Sequence, residues 1–246
     1  MILIKLGGSI ITNKQKPLSP NLKAINSIAS KLNKINEPII VVHGGGSFGH
    51  YWSVKYDMHT KPAKYNKKGV AVVKNSMIEL NKIILDSFLR HSLNPYCVPP
   101  IGFMYGNQVD PKKVKEVSRI ANSGFTPVSY GDVIWHGGGK FYILSGDKIM
   151  GILAKILKPR LAIFVLNVDG LYSSMKTKKL LHEIKGKRAI ISSVGTDVTG
   201  GMRRKVVEAA AISKSGTNVF LVNGNMPNRI VNAVRRGKFE GTVFQR

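Results

Sequence analysis

Short, mostly apolar runs, several of them β-branched, recur along this chain, separated by stretches in which apolar residues return every three or four positions. The runs Ile2–Leu6, 38–42, 95–98, 125–130, Leu161–Leu166, 218–222 and 242–244 read as strands, most of them buried on both faces. Helical spacing predicts a helix starting at Ser19-Pro20 and running to about Lys34, with Leu22, Ile25, Ile28, Ala29 and Leu32 on one face. Further helices are predicted over 70–90, from Asp110-Pro111 to Gly124, over 148–157, from Gly200-Gly201 to about Ser215, and over 227–235. Residues 134–136 and 141–144 flank Gly137-Gly138-Gly139 and read as a β-hairpin. From Tyr51 to Lys68 the chain is basic and reads as an irregular loop or lid. Strands alternating with helices predict an α/β protein, a three-layer α/β/α sandwich around a mainly parallel open sheet. It reads as a single domain, 1–246, with a division near Pro159 into halves 1–158 and 159–246 that share the sheet.

In such sheets ligands bind beyond the carboxyl ends of the strands. Gly7, Gly44, Ser145, Asp169 and Gly224 all fall at ends of that kind, which implies a long ligand or two ligands side by side. The stretch His43-Gly44-Gly45-Gly46-Ser47-Phe48-Gly49-His50 is the densest of these turns. A strand, a glycine turn and a helix start, here with Ser47 as the expected cap, make an anion site because free N–H groups and the helix dipole point at one spot. Gly44-x-Gly46-x-x-Gly49 matches the dinucleotide fingerprint, but no Asp or Glu lies between Thr60 and Val73 to hold a ribose. Lys67-Lys68 leaves a 2′-phosphate reading open, and no Walker A loop occurs. The alternative is a phosphotransferase without a P-loop, which needs two phosphate groups held in line and positive charge around the moving phosphoryl. Lysines stand beside glycine turns at three places: Lys5 before Gly7-Gly8-Ser9, Lys14 in the following loop, and Lys205 one turn after Gly200-Gly201.

Composition narrows the reading. Lysine and arginine number 38 against 13 aspartates and glutamates, a formal charge of +25, which suits phosphorylated metabolites or polyanions. The cations are dispersed and no aromatic residues interleave with them, so nucleic acid is the weaker reading. The single cysteine, Cys97, reads as a small buried hydrophobe, and the chain as cytoplasmic, with neither signal peptide nor membrane span. His43 at a strand end reads as structural, and His43 with His50 is not a metal pair.

Five ordered blocks carry a resemblance across essentially the whole chain: Lys5-Leu6-Gly7-Gly8-Ser9, His43-Gly44-Gly45-Gly46, Gly124-Phe125-Thr126-Pro127-Val128, Asn167-Val168-Asp169-Gly170-Leu171-Tyr172, and Asp197-Val198-Thr199-Gly200-Gly201-Met202-x-x-Lys205. They resemble the amino acid kinase family. Gly49-His50 with Ser145-Gly146-Asp147 is most similar to the branch of that family acting on isopentenyl phosphate. The resemblance implies that ATP binds through Lys5, Gly7, Gly8, Ser9, Gly46, Asp169, Tyr172, Gly201 and Lys205, with Mg²⁺ travelling on the ATP. It implies Lys5, Lys14 and Lys205 as stabilisers of the transferred phosphoryl, oriented by Asp147, with the acceptor phosphate on Gly8, Gly45, Gly46 and Gly146 and with His50 as its donor. An apolar wall for the acceptor tail is available from Val70, Val73, Val133 and Ile143, all of which could equally be core. The family also implies a homodimer. Another phosphate or phosphonate acceptor (uridine monophosphate or fosfomycin) and a non-catalytic nucleotide- or nucleic-acid-binding protein are the remaining readings.

Overall fold

The computed structural model describes residues 1–13, 15–173, 179–184, 200–236 and 239–245. Its strands are β1 (Ile2–Leu6), β2 (Ile39–His43), β3 (Pro95–Cys97), β4 (Met104–Tyr105), β5 (Gln108–Val109), β6 (Thr126–Tyr130), β7 (Asp132–Gly137), β8 (Lys140–Leu144), β9 (Leu161–Leu166), β10 (Leu171–Tyr172), β11 (Leu180–Leu181), β12 (Glu183–Ile184), β13 (Asn218–Asn223) and β14 (Gly241–Phe244). Its α-helices are α1 (Gly8–Ile11), α2 (Leu22–Leu32), α3 (Gly46–Lys55), α4 (Lys67–Arg90), α5 (Pro111–Asn122), α6 (Gly146–Leu157), α7 (Gly200–Lys214) and α8 (Asn228–Arg236).

Eight strands form one sheet in the order β12-β14-β13-β9-β1-β2-β6-β3. Every pairing in it is parallel except β13 with β14. β1 lies between β2 and β9, so the expected halves meet in the middle of a continuous hydrogen-bonded sheet. Strand alternation sorts the core by sheet face rather than by half of the chain. Ile2, Ile4 and Leu6 join Ile39, Val41, Ile163 and Val165 under α1, α2, α4 and α8. Leu3, Ile40, Val42, Ala162 and Phe164 join α5, α6 and α7 on the other face. A third, smaller cluster lies apart from both, built from Met58, Val73 and Val133 with Val70, Trp52, Tyr56, Tyr65, Phe141 and Ile143 around them.

The departures from expectation have local causes. The second helix starts at Leu22, capped by Asn21, whose side chain accepts from the Ala24 N–H. Ser19 and Pro20 are extended instead: Pro20 bridges Thr12, and the Ser19 N–H donates to Ser47 Oγ. Ser47 does not cap α3. The cap is Gly45, while buried Ser47 gives its N–H to Thr12 Oγ1 at 2.9 Å. The expected irregular stretch 51–68 is helical at both ends, as α3 runs to Lys55 and α4 starts at Lys67 behind an Asn66 cap. Between them the chain ties to the hairpin, with Ala63 and Phe141 exchanging backbone bonds of 3.0 and 2.9 Å. Cys97 is exposed rather than buried, because among the described residues β3 is an edge strand whose one partner is β6.

His43 is structural, as expected. It is wholly buried at the end of β2, stacks on Tyr130 at 5.3 Å, and lies 3.2 Å from Asn81 Oδ1 through Nε2. Burial lowers its pKa to about 4. The unfolded chain therefore takes up a proton near pH 6.5 that the folded chain refuses until about pH 4, so stability falls as pH drops through that window. Urea midpoints at pH 7 and pH 4.5 should show a loss of about 2–3 kcal/mol from this residue. The loss should be absent from His43→Phe, which retains the stack on Tyr130. In the core, Phe88 is fully buried near the end of α4, in the cluster under α2 and α8. Phe88→Ala should destabilise the protein by about 3–5 kcal/mol in urea titrations.

Candidate active site

Alternation along β1 turns Leu3 and Lys5 toward the face covered by α5, α6 and α7. Leu3 meets other apolar residues there. Lys5, only 3% exposed, requires a counter-charge. It finds Asp147 in the first turn of α6, where the Lys5 ammonium forms an ion pair with Asp147 Oδ1. The other carboxylate oxygen of Asp147 lies 3.9 Å from the Lys205 ammonium, on α7. Packing of α6 against α7 brings these groups together, helped by Lys148 and Glu208, 3.8 Å apart across the same seam. Two cations therefore share one anion at the carboxyl end of the sheet.

The glycine turns close around this cluster. Gly8 opens α1 and Gly46 opens α3, and their backbones abut so closely that a Cβ on Gly8 would collide with the Gly46 backbone. Gly46 also has φ +49°, a left-handed conformation that glycine alone adopts without strain. Thr12 joins the two turns, donating to the Gly8 carbonyl at 2.7 Å and accepting from the Ser47 N–H. Gly146 opens α6 beside them, and a Cβ there would stand 3.0 Å from the His43 carbonyl oxygen and 3.2 Å from Lys5 Cε. The N-termini of α3 and α6 thus converge near Lys5. Their first-turn N–H groups have no acceptors within their own helices, and their dipoles add positive potential. His50 is exposed on α3, one turn beyond Gly46, and Gly45 packs against Gly49 and the Met77 sulfur.

On the other side of β1, the Gly7 N–H donates to the Val165 carbonyl at 2.9 Å, and Ser9 Oγ donates to Asn167 Oδ1 at 3.0 Å. Asp169 accepts from Asn223 Nδ2 at 3.0 Å and from the Tyr172 hydroxyl at 3.2 Å, and it pairs with Arg229. Hydrogen bonds from Asn223 and Arg229 hold its carboxyl below the usual range. Arg229 also bridges to Glu240, tying the ends of β9 and β13 to α8 and to the residue before β14.

The structure thus joins Lys5, Asp147 and Lys205, sets Gly146 beside Lys5 and Gly8 against Gly46, and ties Gly7 and Ser9 to the end of β9. Gly201 is the second residue of α7, one turn before Lys205. Lys14 and residues 185–199, which include Asp197-Val198-Thr199, lie outside the described residues. Val70, Val73, Val133 and Ile143, drawn from α4 and the β7–β8 hairpin, meet in the small third cluster. Thr12, Asn223 and Arg229 belong to the site's framework and were not singled out in the sequence. Thr12 could have been found from its position at the end of the first glycine turn. Arg229 carries no such signal among the three arginines of α8.

The amino acid kinase family model matches residues 1–223. The isopentenyl phosphate kinase of Thermoplasma acidophilum is 34% identical over 250 residues, with 100% of both chains covered. That of Methanocaldococcus jannaschii is 30% identical, with 98% of this chain and 97% of the relative covered. The crystal structure of the T. acidophilum isopentenyl phosphate kinase product complex superposes with a TM-score of 0.84 at 32% identity over 100% of both chains. A UMP kinase from Ureaplasma parvum, 18% identical with a TM-score of 0.68, shares the fold. Site geometry, fold and full-length similarity agree: this chain belongs to the amino acid kinase family.

Proposed function

We propose that this protein transfers the γ-phosphoryl group of ATP to isopentenyl phosphate, giving isopentenyl diphosphate and ADP. The observation that carries the phosphoryl-transfer reading is the Lys5–Asp147–Lys205 cluster set where the Gly8 and Gly46 backbones touch. The acceptor is supported by the full-length likeness to isopentenyl phosphate kinases and by the apolar cluster beyond α3.

The acceptor phosphate is already ionised near neutral pH, so attack on the γ-phosphorus requires no general base. It requires two polyanions brought into line and their repulsion cancelled. In this reading Gly8, Gly45, Gly46 and Gly146 present backbone N–H groups to the phosphates, and His50 donates to the acceptor phosphate. Lys5 and Lys205 bear on the moving phosphoryl, with Lys14 as a third cation. Asp147 aims Lys5 and Lys205. Both ammonium groups are thereby held where they can bear on the equatorial oxygens of the moving phosphoryl. The pocket is largely closed to water at Lys5, which strengthens that attraction. Residues 1–158 act as the acceptor half. Residues 159–246 act as the nucleotide half, through Asp169, Tyr172 and Gly201. The tail of isopentenyl phosphate lies among Val70, Val73, Val133 and Ile143.

Among the described residues no three His, Cys, Asp or Glu side chains are grouped to hold a metal ion. We assign Mg²⁺ to the ATP phosphates, where it would supply further neutralisation. No helix among the described residues is long and apolar enough to cross a membrane. A cytoplasmic homodimer that binds neither nucleic acid nor membrane is the accompanying proposal.

Incubation with Mg-ATP and, separately, isopentenyl phosphate, uridine monophosphate or fosfomycin, followed by phosphorus NMR, tests the assignment. A new diphosphate doublet pair should appear with isopentenyl phosphate, and its absence would refute the proposal. Lys205→Met should lower kcat on the order of a hundredfold or more, as loss of one transition-state donor does. His50→Ala should raise KM for isopentenyl phosphate about tenfold, the loss of one charged hydrogen bond, with KM for ATP unchanged. A comparable rise in KM for ATP would place His50 elsewhere.

A further inference from the structure

The apolar cluster assigned above to the acceptor's tail, its slot in that reading, is built from two separate elements: Val70 and Val73 on α4, Val133 and Ile143 on the β7–β8 hairpin. A slot of this kind keeps its width only while the two elements are held in register, since packing responds to shifts of a single methylene. The hairpin is tied to the preceding loop by backbone bonds, Ile143 N–H to the His59 carbonyl at 2.9 Å and the paired Ala63–Phe141 bonds. Its tie to α4 is different in kind. Lys74, the residue after Val73, forms an ion pair with Asp132, the residue before Val133.

The two ends of that pair are unequally placed. The Asp132 side chain is 0% exposed, whereas that of Lys74 is 38% exposed. Asp132 Oδ1 accepts the Val133 N–H at 2.8 Å, which anchors the carboxylate to its own strand. Among the described residues Lys74 is its one ion-pair partner. A carboxylate enclosed in this way draws the lysine down from the helix and carries Val73 toward Val133. A surface tether would achieve less, because its charges remain solvated and screened. Its two residues adjoin Val73 and Val133 in the chain, so its influence bears first on the acceptor's tail.

We propose that the Lys74–Asp132 ion pair is a positioning device that sets the width of the hydrocarbon slot and so discriminates acceptors by the bulk of their tails. This rests on the acceptor reading of the slot given above. The test uses Lys74→Ala, Asp132→Asn and the conservative Lys74→Arg, with Val133→Ala reporting on the slot itself. Each variant is assayed with Mg-ATP and either isopentenyl phosphate or the ten-carbon geranyl phosphate, below its own unfolding temperature. The preference for isopentenyl phosphate over geranyl phosphate, as a ratio of kcat/KM values, should fall about tenfold in Lys74→Ala and Asp132→Asn, a pocket-fit effect of ordinary size. KM for ATP should hold, and Lys74→Arg should keep the parent preference. If the ratio is unchanged in both pair variants but shifts in Val133→Ala, the proposal is overturned and the slot assignment stands. If Val133→Ala leaves the ratio unchanged too, the slot assignment itself is refuted. Equal losses for both acceptors and for ATP would mark the pair as a fold-wide brace and likewise overturn the proposal.

Discussion

A lysine buried in the central strand of the sheet governs how this molecule is arranged. Lys5 is in β1, hydrogen-bonded on both sides, and its side chain enters an apolar layer. Such a charge is tolerated only with a partner, and the partner is placed by the start of α6. The same carboxylate then draws Lys205 from α7. A buried ion pair adds little net stability compared with well-packed apolar side chains. What it supplies is a cation whose position is set by three elements at once, beside the glycine turn that opens α6. Under the proposed function, the counter-charge that burial demands and the rigidity that a phosphate site demands are met by one arrangement.

Lys5 was legible in the sequence because a charge at the end of an apolar strand is conspicuous, and the glycine turns because they follow strand ends. The main strands and helices were legible from periodicity, with Ile2–Leu6 and Leu161–Leu166 recovered to the residue. What escaped has common physical causes. Ser19, Ser47 and Asn21 are all competent caps, and tertiary contacts of Ser19 and Ser47 decided among them. Cys97 carries an apolar neighbourhood in sequence but stands on an edge strand, a property of topology rather than composition. Lys74 and Asp132 are 58 positions apart, and one lysine among so many announces nothing until the fold joins it to a buried carboxylate. Asp169 was legible as a strand-end acid, but its binding to Arg229, Asn223 and Tyr172 required the ends of β9, β13 and α8 to meet.

The sheet also bears on motion. Because β1 pairs with β2 on one side and β9 on the other over five residues each, the two halves of the chain cannot hinge about their boundary without breaking a central ladder.

The separateness of the third cluster has an evolutionary consequence. Met58, Val73 and Val133 share no members with either principal core, and the cation cluster lies on different strands and helices. Exchanging an aliphatic side chain there would alter packing locally, at the usual cost of a buried substitution, without touching either principal core or the Lys5 ion pair. Distant sites contribute additively, so selection can act on the two independently. Under the proposed function, a change in the acceptor's tail pocket is thereby separable from a change in the cation cluster.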